Sequence, residues 1–459
     1  MRTSLSYIEA KKILHIGVPL IASQLVFSLS SFVSAAMVAH LGEYALSASI
    51  LVSMVWMLVS VFLFGLLGSV SVLVSQKKGA NDMGDISLVI SQAFWISLII
   101  GIPVMLALWY MPFVLRWSAQ PPIVVHLATE YFRSVLWCVP SLVVLLVIEQ
   151  FLTGIARTKI VLAVSLLEVP LEILIIYMFV FGKFGAPKLG VPGVGYGFAV
   201  AYFIAAVGLT TYVSFAKFAK PYQLFSSLNK LDKRYLQELF RIGWPIGMMY
   251  VIEIGAFTVA TFFMARFGSR VLAADQIAFQ YLGFTITIVF AMAQAITVRV
   301  GDAVGRQDLD SVKRSSYVGM FISFALMLVV AVFYIGYPHL LLEVDLGAHE
   351  KVNSLFYKEA VGMLAIIGVF QLFDNFRLNF VGALRGLKDT KIPMLISAIS
   401  FWGVGVFASW LLGFHFHLGG IGIWYGLTAG IFIGAVILAV RFYRFVQHVD
   451  LSKILKIKS

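Results

Sequence analysis

Apolar runs of spanning length recur along the chain at about 13–38, 45–74, 88–111, 128–155, 160–182, 193–216, 240–265, 271–298, 315–338, 355–384, 392–414 and 419–440, each bounded by charged or turn-forming residues. A helix crosses the hydrocarbon of a bilayer with about 20 apolar residues, so the pattern predicts twelve transmembrane helices. Runs this long and continuous exclude an outer-membrane barrel, whose strands alternate over roughly ten residues. The first run starts at Ile13 behind MRTSLSYIEAKK and passes Pro19 without a small-residue cleavage site, which predicts a retained span rather than a removed leader.

The pattern repeats. A shift of 226 residues aligns 16–82 with 242–308 without a gap, matching Gly17 with Gly243, Pro19 with Pro245, Gly42 with Gly268, Gly79 with Gly305 and Asp82 with Asp308. Further on, Gly154 and Arg157 match Gly382 and Arg385 at a shift of 228, and Gly193, Tyr196 and Gly197 match Gly420, Tyr425 and Gly426 after small gaps. The basic stretch KFAKPYQLFSSLNKLDKR at 217–234 lies at the midpoint. The expected organisation is a six-helix lobe over 1–216, a basic linker over 217–239 and a second six-helix lobe over 240–459. Six spans per half is an even number, so both halves enter the membrane from the same side. The two lobes are then parallel repeats, pseudo-symmetric about an axis along the membrane normal, as in secondary transporters.

Composition agrees with an integral membrane protein and excludes soluble and disordered classes: 61% of the 459 residues are hydrophobic and 12% charged, where a soluble domain would have about a quarter charged. Of the 34 lysines and arginines, 25 fall in the termini and the alternate loops that share their side, seven fall in the opposite loops, and Arg133 and Arg377 lie within predicted spans. The positive-inside rule places both termini in the cytoplasm. The net charge of +12 is then a topology signal facing anionic lipid, not a nucleic-acid surface. One cysteine, Cys138, excludes an internal disulfide.

Five acidic residues interrupt predicted spans: Glu149, Glu168, Glu172, Glu253 and Asp374. Each costs at least about 2.5 kcal/mol in the hydrocarbon, which marks it as a functional candidate. Glu168 and Glu172 share one face of their helix, four residues apart, and two such carboxylates share a proton, hold a cation between them or face a water-filled cleft. Pro170 between them leaves the carbonyl of Leu166 without its helical donor. Glu253 has no basic residue within a turn on its own helix, which favours a coupling role over a local ion pair. Asp374 stands three residues before Arg377, a spacing that suits a structural ion pair or a cation site equally. Glu149 occupies the repeat position of Arg377, and Asp275 with Gln276 falls near the outer end of span eight. The eight histidines are scattered, and no phosphate-binding loop, nucleophile elbow or zinc motif is present. An enzyme is not expected, and the energy for transport must come from an ion gradient or a separate partner.

The repeated I-G-x-P start, FGKFGAPKLGVPGVGYG at 181–197, VRVGDAVG at 298–305 and VGALRGLKDT at 381–390 together resemble the MATE (multidrug and toxic compound extrusion) transporters of the NorM branch, over nearly the whole chain. The resemblance implies two six-helix lobes that export amphipathic organic cations, drugs and dyes, in exchange for inward Na⁺ or H⁺, with no cofactor beyond the coupling ion. The family's second-lobe cation site falls on Glu253 and Asp374, where Na⁺ is a possible ligand. Its span-five pattern in proton-coupled relatives, Asn followed four residues later by Asp or Asn, falls on Glu168 and Glu172, where glutamate at both positions departs from the family and makes this half more acidic. Ser34 stands where the family carries a first-span acidic residue, and Phe370 stands where an aromatic hydroxyl is frequent. Asp275, Gln276, Ser34 and Phe370 are the residues assigned to a substrate cleft. The expectation is therefore a cation-coupled multidrug antiporter working by alternating access as a monomer in a bacterial inner membrane. A flippase for lipid-linked precursors or polysaccharide, of the same superfamily, is the alternative, and it would call for basic rather than acidic buried charge.

Overall fold

The computed structural model describes residues 2–117, 120–346 and 355–456. Lys351, counted above with the outer loops, lies outside the described residues. Among the described residues eleven helices are long and apolar enough to cross a membrane, twelve when one bent pair is counted as a single span. In order they are α1 (Arg2–Ala39), α2 (Glu43–Gly79), α3 (Met83–Leu115), the pair α4 (Pro122–Val135) and α5 (Cys138–Gly154), α6 (Thr158–Phe181), α7 (Pro192–Phe215), α8 (Lys233–Ala265), α9 (Ser269–Gly305) and α10 (Leu309–Gly336). After the short α11 (Pro338–Leu346) come α12 (Leu355–Gly386), an eleventh span built from α13 (Lys391–Ala398), α14 (Phe407–Trp410) and two π-helical stretches, then α15 (Gly419–His448) and the short α16 (Leu451–Leu455).

The 45° bend between α4 and α5 has a local cause. Pro140, in the first turn of α5, has no N–H to offer the carbonyl of Leu136, and its ring crowds that carbonyl. Its counterpart in the second half is Leu372, and α12 runs through unbroken.

The chain divides into two compact units, one of Met1–Ile21 with Met248–Leu455 and one formed mainly by Ala22–Gly247. Both divisions fall inside a helix, at Ile21 in α1 and Gly247 in α8, and these positions are 226 residues apart, the same shift as the sequence repeat. The first part of each half's leading helix therefore packs with the other half's helices. Gly17 meets Met292 on α9, and Gly243 meets the backbone of Leu66 on α2, the corresponding pair 226 positions away.

In the first unit α12 is central, packing on α9, α10 and α15. Its core is aromatic: Phe257, Phe370, Phe401 and Trp424 are buried together. Glycines on α15 at every fourth position, Gly422, Gly426, Gly430 and Gly434, let the backbone of the eleventh span approach closely, so that a Cβ at Gly426 would strike Ser409 and one at Gly430 would strike Ser400. This is the small-residue packing that substitutes in lipid for a hydrophobic driving force. The start of α1 is held by Glu9, which takes hydrogen bonds from Arg299 Nε (2.7 Å) and Nη2 (2.9 Å) and from the Ser315 hydroxyl (2.8 Å).

In the second unit α5 is central, packing on α2, α3 and α7. Here Tyr235, the repeat counterpart of Glu9, donates to Asp85, which also pairs with Lys77. Different side chains thus fasten the start of each leading helix.

The backbone corrects part of the repeat register. Gly154 packs on Val74 and the Ser71 carbonyl, whereas the residue that packs on Val300 and the Thr297 carbonyl, 226 positions later, is Gly386. The turn that follows agrees: Arg157 donates to the Leu152 carbonyl as Asp389 donates to that of Leu384, and Ala156 and Lys388 both take left-handed φ values of 63° and 60°. The shift here is 232, so Arg377 is opposite Leu145 and Glu149 is opposite Val381, and the sequence match of Glu149 with Arg377 does not hold. Gly193 likewise pairs with Gly422, since both face the preceding helix at Phe179 and Leu412. Identities between glycine-rich helix ends allowed a slip of one turn that only packing resolves.

Candidate functional site

In the first unit, Glu253 reaches the core from the middle of α8, and Asp374 and Arg377 project together from α12. Arg377 is fully buried, and Glu253 and Asp374 are 4% and 2% exposed. The planar guanidinium forks between the two acids: Nε donates to Asp374 Oδ1 at 2.6 Å, and Nη2 donates to Glu253 Oε1 at 2.9 Å. Its face lies 4.9 Å from the centre of the Phe401 ring. Among the described residues, Glu253 Oε2 and Arg377 Nη1 have no hydrogen-bond partner. The three side chains carry a formal charge of minus one and are buried together.

A polar stripe continues along α12. Ser323 donates to the Asn375 amide oxygen, and Asn379 bonds back to the Asn375 carbonyl at 2.8 Å. Phe370 is buried edge-on against Trp424 (5.6 Å) and Phe257 (6.0 Å). Trp424 also donates its indole N–H to Asp275 Oδ1 at 2.9 Å, so Asp275 is buried beside the aromatic core while Gln276, one residue on, is exposed.

The second unit holds a different constellation. Glu168 and Glu172 are 2% and 1% exposed on one face of α6, which stays helical through Pro170. Glu172 accepts from the Ser30 hydroxyl of α1. Neither carboxylate oxygen of Glu168 has a partner among the described residues, and Glu149 and Glu172 are both near enough to act on it electrostatically. Ser34, one turn beyond Ser30, is buried, and its hydroxyl has no hydrogen-bond partner among the described residues. This cluster contains acids, hydroxyls and no basic side chain among the described residues.

The sequence reading therefore located each acid, and packing decides its company. Glu253 has no basic neighbour within a turn on α8, and its ion-pair partner comes instead from α12, 124 positions away, where spacing along one helix could not reveal it. Ser30 was not singled out from the sequence, because nothing local marks a serine 142 positions from its partner. No group of three or more His, Cys, Asp or Glu side chains that could hold a metal ion assembles among the described residues.

The MatE family profile matches residues 19–178 and 245–411. A protein of Synechocystis sp. named probable multidrug resistance protein NorM is 30% identical over 436 residues, 95% of each chain. One of Rhizobium meliloti bearing the same name is 31% identical over 442 residues, 95% of this chain and 94% of that one. Among solved structures, an outward-facing multidrug resistance MATE family transporter of the MOP superfamily superposes with a TM-score of 0.86 at 19% identity, covering 98% of this chain and 97% of the other. A eukaryotic MATE transporter superposes with a TM-score of 0.84 at 20% identity over 98% of both chains. These two show the shared fold. The family profile spans well over half the chain and the NorM relatives align along nearly all of it: the protein belongs to the MatE family of membrane transporters, in its NorM branch.

Proposed function

We propose that the protein is a cation-coupled multidrug efflux antiporter, exporting amphipathic organic cations by alternating access, with Glu253, Asp374, Glu168 and Glu172 as the ion-coupling carboxylates. The observation that carries this reading is the sign of the buried charge. The cluster in the first unit sets two acids, Glu253 and Asp374, against the one guanidinium of Arg377, and the cluster in the second holds Glu168 and Glu172 with no basic side chain bonded to them among the described residues. Buried acid attracts cations and repels a diphosphate head group, which favours drug export over lipid-precursor flipping. The names of the NorM relatives, multidrug resistance proteins, point the same way. Competition of inward ion and outward substrate for the same carboxylates couples their movements, because a site that binds one loses affinity for the other. Asp275, Gln276, Ser34 and Phe370 are proposed to border the substrate path, and 39 Phe and 16 Met supply adaptable apolar surface. The proposed setting is a bacterial inner membrane with both termini cytoplasmic and the chain acting as a monomer.

The test is efflux of a fluorescent organic cation from proteoliposomes under a Na⁺ gradient or a pH gradient imposed separately. Efflux driven by one gradient and lost in Glu253→Gln upholds the proposal. No gradient-driven movement of any cationic dye by folded protein sinks it, and a lipid-linked precursor then becomes the substrate to assay.

A further inference from the structure

We infer that Arg377 is a built-in counter-cation that keeps Na⁺ out of the Glu253–Asp374 pair, so that the exchangeable ion at this pair is a proton. The inference rests on the coupling role proposed above for these two acids and names what sets their ion preference.

Three observations converge on it. First, Arg377 takes one oxygen from each carboxylate in a single fork, Oδ1 of Asp374 at 2.6 Å and Oε1 of Glu253 at 2.9 Å. With one oxygen of each acid taken by the fork, a Na⁺ ion could not be held by both oxygens of either carboxylate, whereas a proton needs only one oxygen. Second, the guanidinium cannot give up its charge, because arginine stays protonated in proteins. It cannot withdraw to water either, being fully buried and stacked 4.9 Å from Phe401. A Na⁺ ion beside it would lie against a fixed positive charge that neither deprotonation nor movement to water relieves, in an interior where charges interact strongly. Third, one carboxylate oxygen remains open: Glu253 Oε2 is buried and unpartnered among the described residues. That oxygen can accept a proton without displacing Arg377, and the cluster then passes from a net charge of minus one to neutral. Loss of that net negative charge removes the Coulombic attraction for a cationic substrate, so proton binding at Glu253 discharges the site while Arg377 stays in place.

The test is equilibrium binding of radioactive sodium to the full-length purified protein in detergent, comparing wild type, Glu253→Gln, Arg377→Gln and the double variant Arg377→Gln with Glu253→Gln. The expected result is no component of sodium binding in wild type that is lost in Glu253→Gln. In Arg377→Gln a saturable component is gained, and the double variant loses it. A merely structural role for Arg377 would not produce that gain. Sodium binding by wild type that disappears in Glu253→Gln overturns the assignment, and so does a folded Arg377→Gln protein that gains none. Should Arg377→Gln not fold, wild type against Glu253→Gln and Asp374→Asn decides alone: sodium binding lost in either variant overturns the assignment, and none lost upholds it. Dye efflux is scored separately, so a protein that moves no dye yet gives the expected binding pattern loses the function proposed above and keeps this assignment.

Discussion

Arg377 shows what a single side chain does in this interior. It satisfies two acids that a bilayer would otherwise penalise, and removing it alone leaves both uncompensated. Arg377→Ala is expected to destabilise the protein by about 3–5 kcal/mol, the cost of breaking a buried ion pair from one side. The drop is readable as a lower temperature of thermal aggregation in detergent. Replacing all three charges by neutral near-isosteres, Glu253→Gln, Asp374→Asn and Arg377→Gln together, is expected to recover most of that loss while still abolishing gradient-driven efflux. Stability that remains as low as in the single variant would mean that the fork, not the charge balance, holds the region together. A second residue acts at a helix end outside the spans. Asp308, before α10, accepts from the Ser311 backbone N–H at 2.9 Å. Burial alone would push its carboxyl up, but the bonds from Ser311 and the charges of Arg306 and Arg314 hold it below the usual carboxylate range. A depressed folded value means that the contribution is present above the ordinary carboxyl pKa and is lost as pH falls through the folded one. Asp308→Ala is thus expected to cost about 1 kcal/mol at neutral pH, with the difference from wild type shrinking in strongly acidic buffer. A difference independent of pH would exclude the cap as its source.

At the scale of elements, small residues and one proline set the geometry. The glycine ladder on α15 brings that helix against the eleventh span, whose π-helical stretches Ile399–Val406 and Leu411–His415 carry Phe401 toward Arg377. Gly426→Leu has no room against Ser409. It is expected to lower thermal stability sharply and, by displacing the eleventh span, to reduce transport even in the protein that folds. Wild-type stability in this variant would show that the two helices part at little cost. Pro140 has the opposite effect, breaking the fourth span where its counterpart α12 runs straight. The turns at Gly42 and Gly268, with φ of 106° and 101°, are the element-level signature of the duplication, because an L side chain rarely takes that backbone conformation.

At the scale of the molecule, the two units carry different electrostatics on one repeated plan. The first neutralises part of its buried acid with Arg377, and in the second, among the described residues, Glu172 has the Ser30 hydroxyl while Glu168 has no hydrogen-bond partner. Topology is open to a direct check. Cys138 is the one cysteine, so Cys138→Ser gives a background for single introduced cysteines. A cysteine in the loop at 183–190 is expected to react with a membrane-impermeant maleimide added to intact cells, and one in the linker at 217–232 only after the cells are opened. The reverse pattern would invert the proposed orientation and with it the direction of export.

The helix positions, most of the duplication and the acids Glu168, Glu172, Glu253 and Asp374 were legible in the sequence, because each rests on composition or spacing along a single chain: apolar length, glycine and proline at fixed offsets, carboxylates where lipid permits few; the burial of Glu9 and Asp275 was not. The partners of those acids were not, because Glu253 meets Arg377 and Glu172 meets Ser30 across helices far apart in sequence. The register of α5 against α12 was not legible either. It is set by which glycine fits against Val74 or Val300, a matter of packing between helices, and apolar sequences match one another too readily for identities to decide it. Sequence determined which charges enter the membrane and on which helices; tertiary structure decided which of them are neutralised, since in a medium without water every buried charge takes its properties from the side chain that packing brings against it.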